Sequence, residues 1–121
     1  MATRTETKGF ELLYARALMA GRFAAIEATK GMATYAIMEG ERRVGTMTGL
    51  CGFAWVNVKD RKFGNYLKKM GLGRADHYYG GVTVWISDYN QSHEMKTAHA
   101  YAMAKVFKEA GVDAYAAERL D

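Results

Sequence analysis

Two short runs alternate between aliphatic and other side chains, and each runs into a helix-like segment. In Cys51–Val58, Ala54, Val56 and Val58 fall on one face of an extended chain, and Phe53, Trp55 and Asn57 on the other. In Tyr78–Ser87, Val82, Val84 and Ile86 share one face, and Thr83, Trp85 and Ser87 the other. A strand with one aliphatic face must bury it against a second layer. The following segments supply that layer. Asp60 is placed to cap a short helix with Phe63, Tyr66, Leu67 and Met70 on one stripe, and Gly71 ends it. Asn90 or Ser92 is placed to cap a longer helix reaching Ala110. Its expected buried stripe is Met95, His99, Ala102, Val106 and Ala110, with Met103 and Phe107 beside it. Gly111 closes this helix, Val112 packs back on its last turn, and Asp113–Arg119 reads as a closing strand.

Upstream, Gly9–Lys30 carries Leu13, Ala17, Ala20, Ala24 and Ala28 at three- and four-residue steps, a helical spacing. Thr7 is a candidate cap and Gly31 a candidate stop, so residues 1–8 are expected to fray. The small side chains on this face suit close packing on a neighbouring element or, alternatively, a homodimer seam. Met32–Met38 reads as a strand, Glu39-Gly40 as a turn and Arg43–Met47 as a weaker returning strand. The expectation is a single α+β domain over residues 1–121. It has a mixed or antiparallel sheet of four to five strands and three helices, mainly on one face.

The chain has 121 residues, 50% hydrophobic and 25% charged, which excludes a disordered composition. It lacks a run of ~18 apolar residues, so no membrane partner is expected. Its first residues lack the apolar core of a signal peptide, which points to the cytoplasm. With one cysteine, Cys51, neither an internal disulfide nor a thiol pair for zinc is available. His93 and His99 stand six apart, ~600° around a helix, which is not a chelating spacing. His99 is expected to be a satisfied, semi-buried side chain. No metal and no cofactor is assigned, and no catalytic constellation is legible: P-loop, GxGxxG turn and nucleophile elbow are all missing.

The net charge of +4 is concentrated. Lys59, Arg61, Lys62, Lys68, Lys69 and Arg74 face only Asp60 in their stretch, a segment suited to phosphates or an acidic protein surface, or simply a solvated helix face. Phe53, Trp55 and Trp85 would lie together on the sheet face opposite the aliphatic one. Exposed, they form a stacking platform or a protein hot spot; covered by the first helix, they form a second small core. A third group, His77, Tyr78, Tyr79, Gln91, Ser92, Lys96 and Arg119, is a candidate small-ligand pocket at strand ends, or plain turn and cap chemistry.

The phrases Cys51-Gly52-Phe53-Ala54-Trp55-Val56, Tyr79-Gly80-Gly81-Val82-Thr83-Val84-Trp85, Gln91-Ser92 and Ala114-Tyr115-Ala116 through Arg119-Leu120-Asp121 resemble those of small uncharacterised bacteriophage-type proteins. The resemblance covers about residues 51–121 and carries over no activity and no catalytic residue. It implies a phage-type origin, and with it a place in the host cytoplasm. The residues and the resemblance together favour a non-enzymatic accessory binding protein acting on nucleic acid. The alternatives are a protein-binding inhibitor of a host or defence complex, and a nucleotide-binding protein or enzyme with a site near residues 76–96.

Overall fold

The computed structural model describes residues 4–38, 52–87, 89 and 93–120, with residues 4–5 and 29–38 described by backbone alone. The elements are α1 (Arg4–Met38), β1 (Gly52–Val58), α2 (Arg61–Lys69), β2 (Arg74–Ala75), β3 (Val82–Trp85), α3 (His93–Glu109) and β4 (Ala114–Leu120). The four strands form one antiparallel sheet in the order β2-β3-β1-β4. Because β3 lies antiparallel between β1 and β2, those two run in the same direction. Residues 52–120 therefore form a split β-α-β arrangement, strand-helix-strand-strand-helix-strand, with β1 and β3 in the middle of the sheet. The chain is α+β, as the order of periodic segments implies.

Local chemistry accounts for the elements. Asp60 accepts from the Phe63 amide at 2.9 Å and starts α2. Gly71, at φ 74°, ends it: the Leu72 amide donates to Leu67 O at 2.8 Å and the Gly71 amide to Lys68 O at 3.1 Å. The same closure recurs at the end of α3, where the Val112 amide returns to Phe107 O at 2.9 Å. The aliphatic faces of β1 and β3 are buried as the alternation requires: Ala54, Val56, Val58, Val82, Val84 and Ile86 pack with Phe63, Leu67, Met103 and Phe107. The Phe63 and Phe107 rings meet edge to face at 5.0 Å. This core lies between the sheet and the α2–α3 layer.

α1 packs on α3 and α2 and makes no close backbone approach to any described strand. Leu13, Ala17 and Ala25 are buried, the Phe10 ring meets Phe63 and Tyr66 at a tilt with centroids 5.3 and 5.6 Å away, and Glu6 pairs with Lys62 at 3.0 Å. Of the small residues expected on this face, Ala17 is buried and Ala20, Ala24 and Ala28 are half-buried.

Several expectations are corrected. The first helix is not confined to residues 9–30. Residues 4–8 are helical, Thr7 is inside the helix, and Gly31 does not stop it. The segment 32–38 extends α1 and is not a strand. Its Met and Ala residues are good helix formers, and adding a turn to an existing helix avoids a second nucleation, which outweighs the ~1 kcal/mol cost of Gly31. The strand expected over Tyr78–Ser87 is confined to Val82–Trp85, because residues 77–81 form a turn; residues 74–75 pair as a strand that periodicity did not mark. In α2, Met70 is exposed and leaves the stripe. In α3 the buried residues are His93, Lys96, His99, Ala100, Met103, Ala104 and Phe107. Met95, Ala102 and Val106 are half-buried and Ala110 is exposed. α3 is covered on two sides, by the sheet and by α1, so a one-stripe reading placed its buried side wrongly. The turn at 39–40, the strand at 43–47, Cys51 and the caps Asn90 and Ser92 lie outside the described residues.

The tightest helix contact is Gly21 of α1 on the ring of His99. A methyl group at Gly21 would stand 2.5 Å from His99 Cδ2. His99 is 2% exposed and its Nδ1 lies 2.7 Å from the Tyr89 hydroxyl, so the ring cannot yield freely. Gly21→Ala is therefore expected to destabilise the fold by about 1–2 kcal/mol, despite the better helix propensity of alanine. Urea unfolding compared with the conservative solvent-face change Gly9→Ala, where nothing lies within 4 Å, checks this.

Candidate functional site

Burying one face of β1 and β3 turns the other outward. Residues directly opposite in an antiparallel pair share a face. The register aligns Arg119 with Phe53, then Ala117 with Trp55 and Trp85, then Tyr115 with Asn57, Thr83 and Arg74. The middle of this face is aromatic. The Trp55 and Trp85 rings lie 4.9 Å apart, and Phe53 meets Trp85 edge-on at 6.3 Å. Phe53 is 38% exposed and Trp85 50%, with Trp55 half-buried between them. The face is therefore open, and α1 does not cover it; the reading of a second small core is excluded.

Three cations lie on this face, one of them against the aromatic cluster. The Arg119 guanidinium lies 5.1 Å from the Phe53 ring centroid on the β4 side. Lys59, next along from Asn57, has its ammonium 5.8 Å from the Tyr115 ring and donates to Tyr79 O. Arg74 is exposed beside Thr83 on the β2 edge. The other members of the basic segment are elsewhere. Arg61, Lys62, Lys68 and Lys69 project from the solvent side of α2, on the far side of the sheet, and Lys62 is tied to Glu6. A run contiguous in sequence is thus split between two surfaces: Lys59 and Arg74 join the aromatic face, and the four α2 cations do not.

The pocket expected from His77, Tyr78, Tyr79, Gln91, Ser92, Lys96 and Arg119 is also divided. His77, Tyr78 and Tyr79 sit on the exposed 76–81 turn at the Val58 end of β1. Lys96 lies at the opposite end, its ammonium 3.4 Å from Gly52 O, beside a His93–Glu118 pair at 3.0 Å. Arg119 is near that second end, and Gln91 and Ser92 lie outside the described residues. Among the described residues no three His, Cys, Asp or Glu side chains converge as metal ligands.

The 76–81 turn is built, not loose. Asp76 Oδ1 accepts from the amides of Tyr78 and Tyr79, each at 2.8 Å, and Oδ2 accepts from the Thr83 hydroxyl at 2.7 Å. Thr83 in turn accepts from Asn57 Nδ2 at 3.2 Å, and the same amide donates to Gly80 O at 2.9 Å. Asn57 is fully buried, and among the described residues its Oδ1 has no hydrogen-bond partner. Gly81, at φ 68°, runs so close to Val58 O that no side chain fits there. The turn holds Tyr78 and Tyr79 edge to face at 4.5 Å, with Tyr78 85% exposed, at the end of the aromatic sheet face.

Sequence reasoning missed one feature. A cavity of about 360 Å³ lies between Tyr14, Leu18 and Arg22 of α1, Leu72 after α2, the end of β3 with Ile86, and His99 of α3. It needs four distant segments, and no periodicity in any one of them marks it.

The two tyrosine amides, the Thr83 hydroxyl and nearby Lys59 all favour the ionised carboxylate and hold Asp76 below its ordinary value of 3.8. A depressed folded-state value contributes stability that is present above the unfolded value and lost as pH falls through the folded one. The turn should therefore weaken as pH falls below 3.8, and Asp76→Asn should remove that part of the acid sensitivity. Urea midpoints at neutral pH and below 3.8 for both proteins measure it; equal acid sensitivity in the two would refute the assignment.

In comparisons with protein-family models, with curated proteins and with solved structures, the chain matches none.

Proposed function

We propose that the chain binds single-stranded nucleic acid across the open face of its sheet. The observation that carries this reading is the cluster of exposed Phe53 and Trp85 with half-buried Trp55 on the two central strands, with Arg119 beside Phe53 and Lys59 and Arg74 further along the same face. Exposed aromatic surface costs about 25 cal/mol per Å² in water, so a contiguous group of three rings calls for a partner. Unpaired bases offer π-faces to such rings, and three rings on a sheet accommodate two or three bases. A duplex keeps its bases stacked and offers grooves that a flat face does not enter. The three cations then take backbone phosphates, with the Tyr78–Tyr79 pair as an extension of the platform at one end.

The α2 cations lie behind the sheet and belong to a separate surface in this reading. A protein ligand is the second reading, favoured by the Trp and Arg content of the face and by its small number of cations. The phage-type resemblance of residues 51–121 fits an accessory binding protein of either kind.

Fluorescence anisotropy with labelled single-stranded DNA, single-stranded RNA and a duplex tests the proposal. Single strands should bind, with a log K against log salt slope of about −2, as three phosphate contacts imply. Trp55→Ala or Trp85→Ala should weaken binding by roughly 5- to 150-fold, the equivalent of about 1–3 kcal/mol of stacking. Lys68→Glu with Lys69→Glu should change it by no more than about threefold, since each exposed charge acts weakly at a distance. No binding at low salt would overturn the proposal, as would loss of binding only in the α2 variant.

A further inference from the structure

α1 has a second apolar side. Leu12, Met19, Phe23 and Ile26 are 67%, 71%, 65% and 57% exposed. At 100° per residue these four side chains fall within about 60° of one another, on the side of the helix away from Leu13, Ala17 and Gly21. The inner side packs on α3 and α2, and these four side chains stay exposed on the outer side. A surface helix ordinarily turns charge to the solvent at this position. Scattered apolar side chains need no explanation, but four large ones in a line about 21 Å long mark an interface.

The pattern around the stripe identifies the occupant. Read outward from Met19 in both directions, an arginine stands at three residues (Arg16, Arg22), a branched aliphatic at seven (Leu12, Ile26) and a glutamate at eight (Glu11, Glu27). Between residues 11 and 27 these are the charged residues; all four are exposed and they sum to zero, although the chain as a whole is +4. An acidic or polyanionic partner would select a basic stripe; a balanced, near-palindromic one is complementary to itself.

We infer that the outer stripe of α1 pairs with the same stripe of a second copy, antiparallel, about a two-fold axis at Met19. Met19 then meets its own copy and Leu12 meets the partner's Ile26, which is the isologous pattern of a two-fold interface. Arg16 and Glu27 lie on one flank of the stripe, and Glu11 and Arg22 on the other. Antiparallel pairing sets each flank against its own copy, so Arg16 faces the partner's Glu27 and Arg22 the partner's Glu11. Each pair is offset by about 7–8 Å along the axis, a span two long side chains cover. Side chains lean toward a helix's N-terminus, which tilts Arg16 and the partner's Glu27 toward each other. Such a seam with its flanks removes on the order of 1,000 Å² from water, the lower range of specific interfaces, so a reversible dimer is expected. It leaves the aromatic sheet face of each copy open and does not depend on the nucleic-acid reading.

Sedimentation velocity of the full chain tests it. At roughly 100 µM, where a dimer with micromolar Kd is populated, the wild type should sediment as a dimer and dissociate on dilution. Met19→Lys with Phe23→Lys should raise the dissociation constant at least about tenfold while the far-UV circular dichroism is retained, since both positions are exposed. In a Cys51→Ser background, Met19→Cys should form a disulfide-linked dimer under mild oxidation, and Leu12→Cys alone should not. A monomer at the higher concentration, a dimer untouched by the lysine pair, or ready self-crosslinking of Leu12→Cys would each overturn the inference.

Discussion

The central position of β1 governs the rest of the molecule. It is hydrogen-bonded on both sides, to β3 and to β4, so its register is set twice and its side-chain direction cannot slip. Once Ala54, Val56 and Val58 are committed to the core, Phe53, Trp55 and Asn57 must point the other way. The same pairing puts Trp85 opposite Trp55 and Arg119 opposite Phe53. The aromatic face is therefore a geometric consequence of core formation, and its composition is the part of β1 and β3 that core packing does not explain.

Two carboxylates frame this face. Asp60 nucleates α2 directly after β1 and so turns the chain behind the sheet, carrying Arg61, Lys62, Lys68 and Lys69 with it. Asp76 folds the 76–81 turn forward, using Thr83 and Asn57 as anchors, and brings Tyr78 and Tyr79 to the rim of the face. One acidic residue thus removes cations from the aromatic surface and the other adds phenols to it. Both act through backbone amides that would otherwise be unsatisfied at a helix start or a tight turn.

Much of the fold was legible where a periodic segment met a single buried surface. The alternation of β1 and β3, the Asp60 cap, the Gly71 and Gly111 stops and the closing strand all follow from local rules, because each element there has one neighbour to satisfy. The same rules failed for α3 and α1. α3 is covered from two sides, so Lys96, Ala100 and Ala104 are buried although they fall off the expected stripe. α1 is apolar on two opposite sides, and small residues drew attention to the side the domain itself consumes. Residues 32–38 were misread for a related reason: an apolar heptad satisfies strand and helix patterns alike, and the preceding helix decides between them.

The candidate site divides along the same line. The sequence already sets Phe53 and Trp55 on one side of β1 and Trp85 on the side of β3 away from its aliphatic residues, because side chains alternate along an extended chain. It also determined that cations cluster between residues 59 and 74. Packing of the elements then leaves the aromatic face open, splits the cation cluster between two surfaces, and brings Arg119 of β4 beside Phe53. Exposure and proximity depend on which layer a neighbouring element packs against. For α1 that choice was settled by the fit of Gly21 on His99 and of Phe10 on Phe63, contacts between residues 78 and 53 positions apart that no local pattern encodes.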